Sequence, residues 1–101
     1  MKYGLEDQIW EDIRSVLSSE PGVVKATLFG SRAMDKHKPG SDIDLYIQIQ
    51  DSSSIVLSNL ETALDDLLLP WTFDLVSSAT LADLELLDHI QRVGVTVYQG
   101  R

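Results

Sequence analysis

Two aspartates, Asp42 and Asp44, stand in the short stretch Ser-Asp-Ile-Asp-Leu. Residues i and i+2 of a β-strand face the same side, so we expect the two carboxylates to project together. Neighbouring carboxylates repel each other unless a positive charge lies between them, and Mg²⁺ characteristically takes one or two carboxylates together with substrate phosphates. The pair therefore indicates a magnesium site, although a solvated polar face of a strand would show the same pattern.

A second candidate element is the turn at Gly30 and Ser31, which directly follows an apolar run. Glycine lets the backbone turn sharply and approach a ligand closely because it has no Cβ. Ser31 stands where a short helix over 31–34 would begin, and the backbone N–H groups at a helix start favour phosphate. Together with the carboxylate pair, and with Asp74 on the polar face of a later strand, this turn predicts nucleotide chemistry.

The elements that must position these residues follow from the hydrophobic periodicity. The predicted helices span about 4–18, 54–68 and 80–92, and the predicted strands span 23–29, 43–49, 71–76 and 95–98. The serines after Asp51 are expected to cap the second long helix. The economical arrangement is an α+β fold, a small mixed β-sheet with helices packed on one face, which leaves the aspartate-bearing face open to substrate.

Composition narrows the class of protein. The chain has 101 residues, which fits one domain over 1–101. Its net charge of −8 argues against direct binding of nucleic acid, which rests largely on Lys and Arg. A basic protein partner, a metal-ion site and a plainly solvated surface are all compatible with that charge.

The sequence also constrains the cellular compartment in which we expect the protein. Cysteine is absent, so disulfides and thiolate metal sites are excluded. No apolar run approaches the roughly 20 residues of a membrane helix, and the acidic start of the chain is unlike a signal peptide. We therefore expect a cytoplasmic protein that does not bind a membrane.

The motifs Gly-Ser-Arg-Ala and Ser-Asp-Ile-Asp-Leu, at this separation, resemble those of the DNA polymerase β-like nucleotidyltransferases. The chain is most similar to the minimal nucleotidyltransferases (MNT proteins), which consist of little beyond the catalytic palm. The resemblance extends along nearly the whole chain, including Pro-Trp-Thr-Phe-Asp-Leu-Val and Asp-His-Ile-Gln-Arg-Val-Gly. It implies a polymerase β palm-like fold.

The resemblance also implies roles for single residues on the phosphate side of the site. In that family the Gly-Ser turn holds the triphosphate of ATP or another nucleoside triphosphate, and Gly30 and Ser31 match it here. Arg32 and Ser41, which belong to the two motifs, are expected to bind the nucleotide as well.

On the metal side, the family's motif aspartates bind two Mg²⁺ ions, and Asp42 and Asp44 match them. The third carboxylate, here Asp74, is expected to complete one metal site and to help deprotonate the attacking hydroxyl. The implied reaction moves a nucleoside monophosphate, AMP when the donor is ATP, to a hydroxyl and releases pyrophosphate.

One position departs from the family pattern. Minimal members often continue the turn as Gly-Ser-Arg-Ala-Arg-Gly, whereas this chain has Met34 and Asp35 at the last two positions. The change removes a cation near the phosphates and adds an anion, which would weaken triphosphate binding unless Arg32, Lys36 and Lys38 compensate. Asp35 is equally compatible with a plain loop or helix-capping role.

MNT proteins similar to this one are commonly paired with a helical HEPN protein, a ribonuclease toxin that some of them inactivate by attaching AMP to a tyrosine. The resemblance therefore implies an antitoxin that is a nucleotidyltransferase acting on a HEPN partner. One alternative is a binding protein with a weak or inactive site that neutralises or scaffolds its partner by contact. Another is a free-standing enzyme acting on a small molecule.

The remaining candidates are better explained as structural. His37 is expected to be a solvated loop residue, and His89 to be packed near a helix end. Trp71 is assigned to the core rather than to a base-stacking platform, and Trp10 is expected to be partly exposed. Tyr46 shares the carboxylate-bearing face and is kept as a candidate nucleotide contact.

Overall fold

The helices and strands of the computed structural model, which describes residues 1–50 and 54–100, follow the periodicity of the sequence. The helices are α1 (Asp7–Ser18), α2 (Gly30–Ala33), α3 (Ser54–Asp65) and α4 (Leu84–Val93). The strands are β1 (Val23–Phe29), β2 (Ile43–Ile49), β3 (Phe73–Ser77) and β4 (Val95–Gln99). Helix α4 begins later than predicted because the Asp83 side chain accepts hydrogen bonds from two backbone N–H groups and caps it there. The serine cap expected for α3 falls mainly on 51–53, outside the described residues.

The strands form one mixed sheet in the order β3-β2-β1-β4. Strand β1 is antiparallel to β2 and to β4, while β2 and β3 run parallel and are connected through α3. The predicted small mixed α+β sheet is therefore confirmed. In its register Asp44 is paired with Phe29 on β1 and with Asp74 on β3.

The main core lies between the sheet and two long helices. Apolar side chains of α1, α3 and one face of the sheet form a single buried cluster that includes Ile13, Leu17, Leu60, Leu64, Ala26, Leu28, Leu45 and Ile47. The alternation of β2 explains this, because Ile43, Leu45 and Ile47 are fully buried while Asp44 and Tyr46 between them are only partly buried. None of the described helices has the length and apolar character needed to span a membrane.

Helix α4 departs from the expectation that the helices share one face. Its residue Ile90 is buried, and its residue His89 packs edge-on against Phe29, on the face of β1 opposite the main core. Gly94 joins α4 directly to β4, and a Cβ there would overlap both the Ile90 carbonyl and the Thr27 side chain. The short connection therefore holds the apolar stripe of α4 against the polar face of the sheet.

Trp10 is almost fully buried, with 2% of its surface exposed, so the expectation of partial exposure was wrong. The cause is a tight turn at the start of the chain, in which Tyr3 and Gly4 both have positive φ and Lys2 and Leu5 exchange two backbone hydrogen bonds. The Trp10 indole N–H donates to the Lys2 carbonyl at 2.8 Å, and the Tyr3 ring packs edge-on against it. This turn covers the indole of Trp10, which lies to one side of the main apolar stripe of the helix.

The two tryptophans provide a matched test of this burial. We expect Trp10→Phe to lower the free energy of unfolding by about 2 kcal/mol, because it removes a part-buried hydrogen bond to the Lys2 carbonyl and opens space in the core. Trp71→Phe removes a hydrogen bond to the Pro39 carbonyl that is exposed to solvent, so water can replace it and the loss should stay below about 1 kcal/mol. Urea denaturation measures both, and equal losses would contradict the assignment.

Candidate active site

Asp44 and Asp74 meet on the polar face of the sheet because β2 and β3 are paired at these two positions. The pKa of Asp44 is raised to about 6, first by burial, then by the negative charges of Asp74 and Asp42 and by a hydrogen bond with the Asp74 carboxyl. The positive charge of Arg32 opposes this shift. Burial and the neighbouring negative charges both disfavour the ionised form of the Asp44 carboxyl.

Asp42 precedes β2 by one residue, and its side chain is exposed. It lies near enough to Asp44 to raise the pKa of that carboxyl. In the described part of the chain, however, no group of three His, Cys, Asp or Glu side chains is already converged as a metal site. The structure thus brings Asp44 and Asp74 into contact and keeps Asp42 beside them with a solvent-facing side chain. Carboxylate oxygens are the donors that Mg²⁺ prefers, so the donor chemistry fits that ion.

Gly30 lies directly beside this carboxylate cluster. Its φ is +74°, a conformation that L-residues rarely adopt, and a Cβ built on it would overlap the Asp44 carboxyl. The close approach to Asp44 follows from the sheet register, since Gly30 begins α2 immediately after Phe29, the partner of Asp44. Glycine is therefore required here for backbone conformation and for close approach.

The serines of the two motifs shape the loop between α2 and β2. The Ser31 carbonyl accepts a 2.8 Å hydrogen bond from the Lys36 N–H. The Ser41 hydroxyl accepts one of 2.8 Å from the Lys38 N–H, and the Ser41 N–H donates to the Lys38 carbonyl at 2.9 Å. Ser31 lies at the start of α2 beside Gly30, whereas the described contacts of Ser41 fold the loop back on itself.

Arg32 was predicted to bind the nucleotide, but its side chain is buried and bonded to the protein backbone. It is 1% exposed, and its guanidinium donates to two backbone carbonyls. The Nε and Nη2 atoms donate to Ser41 at 3.2 and 2.8 Å, and Nη1 donates to Tyr3 at 2.8 Å. The guanidinium also lies over the Trp71 ring, 5.6 Å from its centroid. Burial lowers the pKa of Arg32, while Asp44 and Asp42 act in the opposite direction.

These contacts make Arg32 a brace between three segments. It ties the turn at the start of the chain to α2 and to the residue that precedes Asp42. Its charge still lies close enough to the aspartates to affect the Asp44 pKa. Sequence reasoning missed this role because an arginine beside a phosphate-binding motif has the same sequence pattern whether it faces the ligand or the backbone.

The departure at Met34 and Asp35 also has a structural context. Asp35 adopts a positive φ of 57°, a conformation that glycine adopts without strain. Aspartate tolerates it better than most residues. Met34 is 36% exposed, and Lys36 and Lys38 are exposed in the same loop.

The histidines and Tyr46 complete the surroundings. His89 packs against Phe29, consistent with a structural side chain. His37 is only partly exposed, not solvated as expected, because its ring lies against the backbone of Gly4. Tyr46 follows Asp44 on the same face and lines a cleft beneath α4, which the sequence did not reveal. One sequence feature could have indicated this cleft: the alternation of β2 places Gln48 on the same face as Tyr46.

Gly30→Ala tests the close approach of the backbone to Asp44. We expect a loss of about 1–3 kcal/mol in the free energy of unfolding, since alanine is strained at φ of +74° and its methyl group overlaps the carboxyl. Gly40→Ala, in the following loop, is the matched control because a Cβ there meets nothing within 4 Å. Thermal unfolding of both proteins is the measurement, and unchanged stability of Gly30→Ala would contradict the geometry.

Asp44→Asn tests the repulsion between the carboxyls in metal-free protein. The Asp44 pKa is higher in the folded chain, about 6, than its ordinary value of 3.8, so its contribution to stability is complete below about pH 4 and is lost as the pH rises through 6. Asparagine cannot ionise, so we expect the variant to melt a few degrees higher than wild type at pH 7.5 and to differ less at pH 4. A variant that melts lower at pH 7.5 would contradict the assignment.

Comparison with known proteins agrees with this geometry. The family model described as "Polymerase beta, Nucleotidyltransferase" matches residues 11–100. None of the curated proteins matches the chain.

Solved structures share the fold. A toxin–antitoxin crystal structure with AMP-PNP superposes with a TM-score of 0.73 at 23% identity, covering 91% of this chain and 74% of the other. A tri-AMPylated HEPN toxin in complex with MNT antitoxin, from Shewanella oneidensis, gives 0.70 at 21% identity, covering 95% and 74%. The MntA–HepT toxin–antitoxin gives 0.68 at 22% identity, covering 94% and 74%.

The family match covers most of the chain, and the same residues form the sheet, the Gly30 turn and the aspartate cluster. The chain therefore belongs to the polymerase β-like nucleotidyltransferase family, and its enzyme class is that of a nucleotidyltransferase.

Proposed function

We propose that this protein is a Mg²⁺-dependent nucleotidyltransferase that moves AMP from ATP to a hydroxyl group on a HEPN-type toxin, and so acts as a cytoplasmic antitoxin. The single observation that carries the proposal is the meeting of Asp44 and Asp74 beside Gly30 on the polar face of the sheet. Family membership supports the reaction type.

In the proposed reaction the backbone at Gly30 and Ser31 receives the triphosphate, because there it can approach a ligand without a Cβ in the way. Asp74 accepts the proton of the acceptor hydroxyl, whose oxygen forms a bond to the α-phosphorus. The bond between that phosphorus and the bridging oxygen breaks, and pyrophosphate leaves. Ser41 and Arg32 hold the loop before Asp42 in place through the contacts of the Ser41 carbonyl.

Asp42, Asp44 and Asp74 are the proposed metal ligands. Two Mg²⁺ ions, when bound, would offset the charge on the entering and leaving oxygens of an in-line displacement. The raised pKa of Asp44 supports this assignment, because the two neighbouring carboxylates destabilise its ionised form and a bound cation would offset that repulsion. Asp42 must turn its exposed side chain toward the pair to complete the set.

The HEPN partner is proposed from the neighbours that share this fold, among them the tri-AMPylated HEPN toxin in complex with MNT antitoxin. The charge of the chain supports a basic partner, since 16 Asp and Glu face only 8 Lys and Arg.

A second candidate function is a binding protein with a weak site that neutralises the partner by contact. Met34 and Asp35 favour it, because they replace an arginine and a glycine that the family often has beside the phosphates. Asp35 adds a negative charge in a backbone conformation better suited to glycine.

Labelled ATP, Mg²⁺ and the purified partner separate the two functions. We expect the wild-type protein to label the partner, and Asp42→Asn combined with Asp44→Asn to reduce labelling by at least about 100-fold, since carboxylate ligands hold the metal. Asp65→Asn combined with Asp66→Asn is the matched control, because it removes the same charge from exposed positions. Absence of label with neutralisation intact in the Asp42/Asp44 variant would overturn the enzyme in favour of the binder.

A further inference from the structure

A cleft of about 440 Å³ lies on the polar face of the sheet, beneath α4. Its floor includes Thr27, Tyr46 and Gln48, and its wall includes Leu87, Ile90 and Gln91. The volume is within the range of pockets that hold small molecules. Among the residues that the structure describes, no acidic one lines the cleft, although the chain has 16 Asp and Glu.

The sheet register places this cleft next to the aspartate cluster. Tyr46 is two residues beyond Asp44 on the same face of β2, and Gln48 is four residues beyond it. At a strand rise of about 3.3 Å per residue, the floor extends from about 7 to about 13 Å from the carboxylate row. Tyr46 pairs with Thr27 on β1, which in turn pairs with Thr96 on β4, so the floor crosses three strands.

In the proposed reaction the leaving pyrophosphate, the acceptor hydroxyl and the nucleoside must lie in three different directions from the reacting phosphorus. The leaving pyrophosphate lies toward Gly30, which follows β1. The acceptor lies toward Asp74, on the edge strand β3, and no β3 residue lines the cleft. The remaining direction across the sheet face runs along β2 from Asp44 to Gln48, which is into the cleft.

The lining suits a neutral, hydrogen-bonding group with a flat apolar face. Gln48 and Gln91 each offer an amide donor and a carbonyl acceptor, the combination that reads the edge of a nucleobase. Leu87 and Ile90 supply an apolar wall for its face. Lys25, the one charged residue among the described lining residues, lies at the Gln48 end, where its register partner is Gln48.

From this placement we propose that the cleft beneath α4 binds the nucleoside half of the nucleoside triphosphate, with the ribose near Tyr46 and the base between Gln48 and Gln91. The proposal rests on the proposed function, because it takes the triphosphate to lie at Gly30. It makes this domain, and not only a partner, a determinant of nucleotide recognition.

Calorimetric titration with two probes, Mg²⁺·AMP-PNP and Mg²⁺·tripolyphosphate, tests the proposal. Gln48→Ala combined with Gln91→Ala should weaken AMP-PNP binding about 10-fold or more and leave tripolyphosphate binding within about 2-fold, since two hydrogen bonds to the nucleoside are lost. Gln8→Ala combined with Gln99→Ala is the matched control, because both glutamines are exposed and lie outside the cleft. Thr96→Phe, at an exposed position on the rim, fills the cleft and should show the same selective loss.

The outcomes are distinct. Selective loss of AMP-PNP affinity in both cleft variants supports the proposal. Unchanged AMP-PNP affinity in both variants, with tripolyphosphate still bound, overturns the nucleoside assignment while the proposed function stands. Failure of the wild-type protein to bind either probe overturns the proposed function and this proposal with it.

Discussion

The repulsion between Asp44 and Asp74 is the constraint on which the rest of this structure depends. Strand pairing forces the two carboxyls together, burial raises the pKa of Asp44, and nothing in the described chain neutralises the pair completely. A fold selected for stability alone would replace one of them. A perturbed carboxyl on an open face is typical of a functional site, where a ligand supplies the missing charge.

The surroundings of the pair are built to tolerate this repulsion. Gly30 leaves space for the Asp44 carboxyl, and Arg32 contributes a positive charge from a position fixed by backbone carbonyls. The same arginine connects the first turn of the chain to the loop before Asp42. Polar groups that are buried and fully bonded tend to fix one arrangement of the backbone, and here they fix the segment that carries the aspartates.

Much of the architecture could be predicted from the sequence because local pattern and global fold agree. The alternation of β2 placed its aspartate and tyrosine on one face, and the motif spacing identified the glycine turn. The sequence could not predict that α4 packs on the polar face of the sheet, because the apolar stripe of a helix does not determine which face of the sheet it packs against. It also could not predict the environments of Trp10 and Arg32, since both depend on hydrogen bonds to carbonyls of the turn over residues 2–5, whose shape no helix or strand pattern reveals. The cleft beneath α4 was missed because it forms where α4 covers the polar face of the sheet.

The pairing of Phe29 with Asp44 has a further consequence for variation among related chains. Between these two residues lie the short helix α2 and a loop, and strand hydrogen bonds close the segment at its base, so the length of the loop does not affect the register of the sheet. Insertions or deletions near Gly40, where the chain is exposed, would leave the glycine turn facing the same carboxyl as long as the Ser41 carbonyl stays in reach of its guanidinium donor. The length and composition of this loop can therefore vary among related chains without moving Gly30 away from Asp44.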